Sequence, residues 1–489
     1  MNNTTIIIKN LSVNLQDNIV LDNISFALKA NQHLSIIGNS GSGKTMLAKA
    51  LAGKLFYQGT VDCKNCSINF VEQHYHFKNL SHTNDFYYQQ RYNSFDSEDA
   101  PIVLDELKQI AADESITDLR IETLLNELGL QHRKNAPILQ LSSGEHKRFQ
   151  LIKALLAAPQ ILILDYPFIG LDIKSREKLH NIINEVAQNG TQIILITDAH
   201  EIPQCITHIL HLEKGKQKSF KEKEYFNDNA LTRQYAFHHF NFNALTPVDT
   251  ENNFSVAVKM VNASVQYNDK IILHKLNWEV KREDKWLVKG RNGVGKSTLL
   301  SLITGDNPKA YANEIYLFDK RKGSGESIWD IKKKIGYVSP ELHWYFDTSI
   351  TCYQTIGSGF FDTVGLYKKL DIQQHNILQQ WLDFLRLSHV ANKPLNSIST
   401  GQQRLILLSR ALVKNPPLLV LDEPCQGLDQ QQKNDLVQLV DELCEQFNKT
   451  LIYVSHYDNE IPSCIDKVIE LKDKKQNIYF LNTKTAIAV

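Results

Sequence analysis

GNSGSGKT (Gly38–Thr45) and GRNGVGKS (Gly290–Ser297) decide how this chain is read. Each is a glycine-rich run closed by a lysine and a hydroxyl residue. The first follows the apolar LSIIG and precedes TMLAKALAG, an order that reads as strand, loop and helix. Further out, LSSGEHKR (Leu141–Arg148) recurs as ISTGQQRL (Ile398–Leu405), and ILILDYP (Ile161–Pro167) recurs as LVLDEP (Leu419–Pro424). Lys44 thus maps to Lys296, Gly144 to Gly401 and Asp165 to Asp422, in one order and at nearly one offset. Such repetition implies two homologous domains in one chain. The alternating runs IIIKNLSVNL and SVAVKMVNASVQY read as strands. Between loop and aspartate, the first half carries a helix-patterned insertion, Val103–Leu130, and the second half places QTIGSGF to WLDFLRL there. The expected boundaries are 4–226 for the first domain, 227–253 for an aperiodic linker and 254–489 for the second domain.

Composition narrows the function classes. The chain has 489 residues, with Lys plus Arg equal to Asp plus Glu at 54 each. A zero balance argues against a protein built mainly to hold bare phosphate backbone. A hydrophobic fraction of 42% excludes global disorder. Seven cysteines form no disulfide framework and suit a reducing compartment. The start lacks a charged-then-apolar signal pattern. No stretch approaches the roughly 20 apolar residues of a membrane helix. The expectation is a cytoplasmic protein, or one held peripherally at a membrane's inner face through a partner.

The motifs carry specific chemistry. A loop that wraps phosphate with backbone N–H groups needs glycine where side chains would intrude. Gly38, Asn39, Ser40, Gly41, Ser42 and Gly43 lead to Lys44 and Thr45; Gly290, Arg291, Asn292, Gly293, Val294 and Gly295 lead to Lys296 and Ser297. The lysines would reach the terminal phosphates, and the Thr45 and Ser297 hydroxyls would hold Mg²⁺. Asp165 and Asp422 end apolar strands, where a carboxylate can hold the same metal. The next residue is the natural general base for an attacking water. It is Glu423 in the second half but Tyr166 in the first, and a phenol with pKa about 10 is a poor base at neutral pH.

LSSGE and ISTGQ resemble the signature of the ABC ATPases, and the resemblance covers almost the whole chain. It implies an α/β protein with two tandem P-loop nucleotide-binding domains, each with a RecA-like core, a β subdomain and a helical subdomain. It further implies two ATP molecules sandwiched head to tail, each loop facing the other domain's signature. Site one would then combine Lys44, Thr45, Asp165 and the Q-loop glutamine Gln73, a further metal ligand, with Ser399, Thr400 and Gly401. Three departures mark it: Tyr166, Leu15 at the adenine-stacking position, and Asp198 at the switch-histidine position with His200 displaced. Site two would combine Lys296, Ser297, Asp422, Glu423 and the switch histidine His456 with Ser142, Ser143 and Gly144, and Tyr267 would stack on adenine. There Pro340 stands where the glutamine belongs, and Glu341 is a candidate substitute. Gly170–Asp172 and Gly427–Asp429 match the interface-crossing D-loops. Site one reads as ATP-holding but slow, and site two as the hydrolytic one.

The stretch GDNPKAYANEIYLFDKRKGSGESIWDIKKKIGYVS resembles the ModF subfamily of tandem ATPases associated with bacterial molybdate transport. This implies an ATPase serving molybdate import with a separate integral-membrane permease. Too few residues follow His456 for an appended oxyanion-binding domain, so no molybdate ligand site is expected. Two domains in one chain can close on each other, which favours a monomer. Two other readings stay open: a translation factor of the ABC-F type acting on ribosomes, although the junction lacks that group's long charged hairpin, and a tandem ATPase of a sugar importer. No direct nucleic-acid contact is expected. Cys63 and Cys66 read as a structural pair, His74 and His76 as non-ligands, and the lysines between Lys214 and Lys223 and at Lys332–Lys334 as solvated faces. The aromatic run Phe86–Tyr92 and the junction segment Phe237–Phe242 read as packing.

Overall fold

The computed structural model describes residues 6–15, 18–63, 66–72, 101–113, 118–138, 141, 143–226, 253–267, 270–472 and 475–481. Gln73, Ser142, His74, His76, the aromatic run and nearly all of the expected linker lie outside the described residues. The chain divides into two compact units, Met1–Tyr235 and Ala236–Val489.

The first unit begins with β1 (Ile6–Leu15) and β2 (Asn18–Leu28), then β3 (Leu34–Ile37), α1 (Lys44–Leu51), β4 (Gln58–Asp62) and β5 (Ile68–Val71). Helices α2 (Val103–Asp113), α3 (Asp118–Glu127) and α4 (Ser143–Leu156) follow, then β6 (Ile161–Asp165), α5 (Ile173–Gln188), β7 (Gln192–Ile196), β8 (His208–Glu213) and β9 (Lys216–Glu222). One nine-stranded sheet has the order β4-β1-β2-β9-β8-β3-β7-β6-β5. Strands β8, β3, β7, β6 and β5 run parallel to their neighbours in that series. β6 and β7 are buried along their whole length, as continuous apolar runs in the middle of a parallel sheet must be. The antiparallel β1 and β2 instead alternate, and at Asn10 (φ 51°) β1 bulges so that Ile8 and Leu11 both face the core. Val103, Leu107, Ile121 and Leu125 bring α2 and α3 onto Phe149 and Ile152 of α4, which builds a helical subdomain.

The second unit repeats this with β10 (Val256–Tyr267), β11 (Lys270–Lys281), β12 (Lys285–Gly290), α6 (Lys296–Thr304), β13 (Glu314–Leu317), β14 (Lys320–Arg321), α7 (Ile328–Lys333) and β15 (Ile335–Val338). Then come α8 (Pro340–Tyr345), α9 (Cys352–Gly357), α10 (Ile372–Phe384), α11 (Thr400–Leu412), β16 (Leu418–Asp422), α12 (Gln430–Gln446), β17 (Thr450–Val454), β18 (Lys467–Lys472) and β19 (Lys475–Phe480). Its core sheet is β15-β16-β17-β12-β18-β19, and β11-β10-β13-β14 forms a separate antiparallel sheet. The bulge recurs at Asn262 (φ 48°), between Met260 and Ala263. In the first unit a single bridge, Asp22 to Lys216, joins the two layers into one sheet. In the second, the Gln476 amide oxygen accepts from Asn277 N (3.0 Å) at the corresponding seam. Both units thus have the core, β subdomain and helical subdomain that the resemblance implies.

Among the described residues no helix is long and apolar enough to cross a membrane. Cys63 and Cys66 lie close together between β4 and β5, with Cα atoms 5.9 Å apart. The lysines of β9 lie largely exposed, and Lys332 pairs with Asp306 at 2.9 Å.

Candidate functional site

Each loop leaves a central parallel strand and enters a helix through a left-handed glycine. Gly43 (φ 95°) precedes α1 and Gly295 (φ 112°) precedes α6, backbone settings that any Cβ would strain. At the loop entrance, a Cβ on Gly38 would lie 2.2 Å from the Leu212 carbonyl oxygen, and one on Gly290 would lie 2.8 Å from that of Leu471. The lysines fold back over their own loops. Lys44 Nζ donates to the carbonyls of Gly38 (2.6 Å) and Asn39 (2.8 Å). Lys296 Nζ donates to those of Gly290 (2.8 Å) and Arg291 (3.2 Å). The result is a cradle of backbone N–H groups with an ammonium at its lip, the arrangement that a polyphosphate fits.

The metal side of the first site is equally defined. Thr45 Oγ1 donates to Asp165 Oδ2 at 3.0 Å. Asp165 Oδ1 is buried without a hydrogen-bond partner among the described residues. Burial pushes this carboxyl up to about 6, against the opposing pull of the Thr45 hydrogen bond and the ammonium groups of Lys147 and Lys44. A buried carboxylate with one orphaned oxygen beside a hydroxyl fits a divalent cation. In the second site, Asp422 ends β16 nearly buried, and Ser297 follows Lys296 at the start of α6.

The two sites part at the next residue. Tyr166 and Glu423 both adopt the left-handed backbone, with φ 47° and 45°. Both donate their N–H to the strand alongside, Tyr166 to Ile196 O (3.0 Å) and Glu423 to Val454 O (2.9 Å). Glu423 Oε1 lies 3.2 Å from His456 Nε2, which in turn lies 3.3 Å from Lys296 Nζ. Burial raises the Glu423 carboxyl, but the hydrogen bond and charge of His456, with Lys296 and Arg404, outweigh it and hold the group below the usual carboxylate range. In the first site the Tyr166 ring lies 5.7 Å from Lys44 Nζ, an aromatic face where the second site has an acid. Asp198 precedes a short helical turn, and His200 in that turn is exposed.

The remaining expected residues fall as follows. Ser399 caps α11 by accepting from Gln402 N (3.3 Å), ahead of Thr400 and Gly401. The Gln432 amide of α12 packs directly against Gly401, where an added Cβ would lie 2.1 Å from it and push that side chain aside. Ser143 and Gly144 open α4. Tyr267 is half-buried, and its hydroxyl accepts from Asn307 Nδ2 at 2.9 Å. Asp172 and Asp429 of the D-loops cap α5 and α12. Pro340 opens α8 behind Ser339, whose hydroxyl accepts from Leu342 N (3.1 Å). Glu341 lies in that helix, with its side chain outside the described set.

Sequence reasoning missed the cations behind the metal-side carboxylates. Arg404 of α11 is 2% exposed and donates to Gln426 Oε1 (3.1 Å), one residue before the D-loop, and to Ser339 O (3.5 Å). Its neighbour Gln403 bonds His343 Nε2 at 2.6 Å, and burial, with the Arg404 charge, pushes that imidazole down to about 3. Lys147 holds the matching position in the first unit and is pushed down to about 8 by burial, with Asp165 opposing. A basic residue three places after each signature glycine was the available signal.

Two stretches match the family model of the ABC transporter, residues 21–169 and 273–426, together more than half of the chain. The chain is 36% identical to the ABC transporter ATP-binding protein ModF of Escherichia coli strain K12, over 93% of this chain and 94% of that one. It is 29% identical to an uncharacterized ABC transporter ATP-binding protein of Schizosaccharomyces pombe, over 94% and 96% of the respective chains. Among solved structures, an archaeal ribosome recycling factor in complex with a ribosomal stalk protein shares the fold at a TM-score of 0.54 and 18% identity, over 96% of this chain and 89% of that one.

Proposed function

Because the chain belongs to the ABC transporter ATP-binding family, we propose that it binds ATP with Mg²⁺ at both P-loops and hydrolyses it mainly at the site built on the second unit. The observation that carries this reading is the Lys296–His456–Glu423 cluster, against Tyr166 over Lys44 in the first unit. Bound Mg²⁺ would be held by Thr45 and Asp165 in one site and by Ser297 and Asp422 in the other, and it supplies charge neutralisation at the phosphates. Glu423, ionised and oriented by His456, accepts the proton of the attacking water. Lys296, on release from its loop carbonyls, reaches the terminal phosphate. Tyr166 offers no base at neutral pH, so site one holds nucleotide longer.

A ligand at 100 times its Kd stabilises the bound state by about 2.7 kcal/mol. A slow site one therefore keeps a head-to-tail pairing of the two domains, completed by Ser399–Gly401 and by Ser142–Gly144, partly closed through many turnovers. The likeness to ModF supports a role in molybdate import with a separate membrane permease. Two experiments test the reading. Steady-state ATPase activity of Glu423→Gln beside Lys44→Ala separates the sites: the first abolishes turnover and the second only weakens it. Affinity purification from membranes tests the partner: recovery of an integral-membrane permease supports the transport role, and recovery of ribosomal particles contradicts it.

A further inference from the structure

The turn that carries His456 is anchored by a buried ion pair the reaction does not touch. Glu460 is 5% exposed. Its Oε2 accepts from Ser455 Oγ at 3.1 Å, and its Oε1 pairs with Lys433 Nζ of α12 at 3.3 Å. Ser455 Oγ also accepts from Tyr457 N at 3.1 Å, so one hydroxyl ties together the two residues flanking His456. The fully buried Tyr453 hydroxyl donates to Glu460 O at 2.8 Å and fixes the backbone of the anchor itself. The Lys433 ammonium further lies 5.4 Å from the Tyr457 ring.

The other end of this network reaches the signature turn of the same unit. Lys433 follows Gln432, whose amide packs against Gly401 and closes the capping box of α12 with Asp429. Contacts therefore run from Gly401 through Gln432, Lys433, Glu460 and Ser455 to His456, and from there to Glu423 and Lys296. We propose that Glu460, held by Lys433, is a positioning residue that aims His456 at Glu423 and links that aim to the seating of α12 under the signature turn. The inference rests on the reading that the second unit hydrolyses ATP.

The first unit supplies its own control. Arg176 and Glu201 form the matching pair at 3.0 Å, somewhat less buried, but the switch position beside them holds Asp198, so the pair has no switch histidine to aim, and the imidazole it acts on is His180 of α5. Glu460→Gln in the full chain lowers kcat about 10-fold, short of the 10²- to 10⁴-fold loss expected for the base itself, with the KM for ATP within about 2-fold. Glu201→Gln removes an equivalent ion pair and leaves kcat unchanged. In a His456→Ala background, Glu460→Gln costs nothing further, because a residue acting through another shows no separate effect once that other is gone. Additive losses, or equal losses from Glu201→Gln and Glu460→Gln that track a fall in melting temperature, would overturn the proposal.

If His456→Ala itself leaves turnover intact, the hydrolytic reading of the second unit falls. The positioning claim is then still decided by the His456 ring resonances, assigned by their loss in His456→Ala. A shift in Glu460→Gln upholds the link, and an unmoved spectrum ends it.

Discussion

Tyr166 and Glu423 stand on the same backbone, at φ 47° and 45° after a buried strand that ends in aspartate. A left-handed setting costs a non-glycine residue of order 1 kcal/mol or more, and the chain keeps it in both units. Around Glu423 the fold gathers an imidazole and an ammonium. Around Tyr166 it offers a phenol ring over a lysine. The difference teaches that the cradle and the chemistry are separable. On the proposed reading, the first unit would hold nucleotide without a group to activate water, because its cradle is followed by Tyr166 where the second has Glu423.

The largest effect should come from Glu423→Gln, which lowers steady-state turnover by about 10²- to 10⁴-fold. Tyr166→Phe should leave turnover within about 2-fold; equal losses from the two substitutions would erase the comparison. Next comes the buried carboxylate of the first site. Asp165 is raised to about 6 in the fold, so the protein binds its proton more tightly folded than unfolded. Its contribution is most favourable below about pH 4 and declines as pH rises through 6, at a cost on the order of 3 kcal/mol near neutrality. In nucleotide- and metal-free protein, Asp165→Asn should therefore flatten the fall in stability between pH 4 and 6 in denaturant titrations. Parallel curves for wild type and variant would show that burial does not set this group.

A smaller, sharper test restores chemistry to the first site. Tyr166→Glu with Asp198→His, in the Glu423→Gln background, should recover about 10-fold of the lost turnover, since backbone and cradle are already present. No recovery would mean that the first unit lacks more than these two side chains. The smallest effect concerns the D-loop caps. Asp429 caps α12 in a reciprocal capping box with Gln432, and Asp172 caps α5 by accepting from Ser175 N. Asp429→Ala should cost about 1 kcal/mol in thermal unfolding and Asp172→Ala a few tenths less.

The duplicated loops, the aspartate-ending strands and the helical insertions were legible because each rests on local rules. Glycine is required at left-handed turns, apolar runs mark buried parallel strands, and short periodicity marks helices. The strands expected from IIIKNLSVNL and SVAVKMVNASVQY match β1 and β10. The asymmetry at Tyr166 was equally visible, because it is a change of residue type within a motif. Arg404, Lys147 and Glu460 were not. Their importance comes from burial beside residues distant in sequence, such as Ser339, Asp165 and Lys433; the repeated basic residue after each signature glycine hinted at Lys147 and Arg404, but nothing near Glu460 announced it. The bulges at Asn10 and Asn262 were hidden for a related reason: an alternating pattern with one extra residue still reads as a strand.

The central claim is that the two P-loops meet different fates in one turnover. Photoaffinity labelling with azido-ATP tests it directly, with a single-turnover quench followed by proteolysis between the units and identification of the nucleotide on each fragment. The account predicts intact ATP on the Lys44 fragment and ADP on the Lys296 fragment. ADP on both fragments, or on the Lys44 fragment alone, would contradict it.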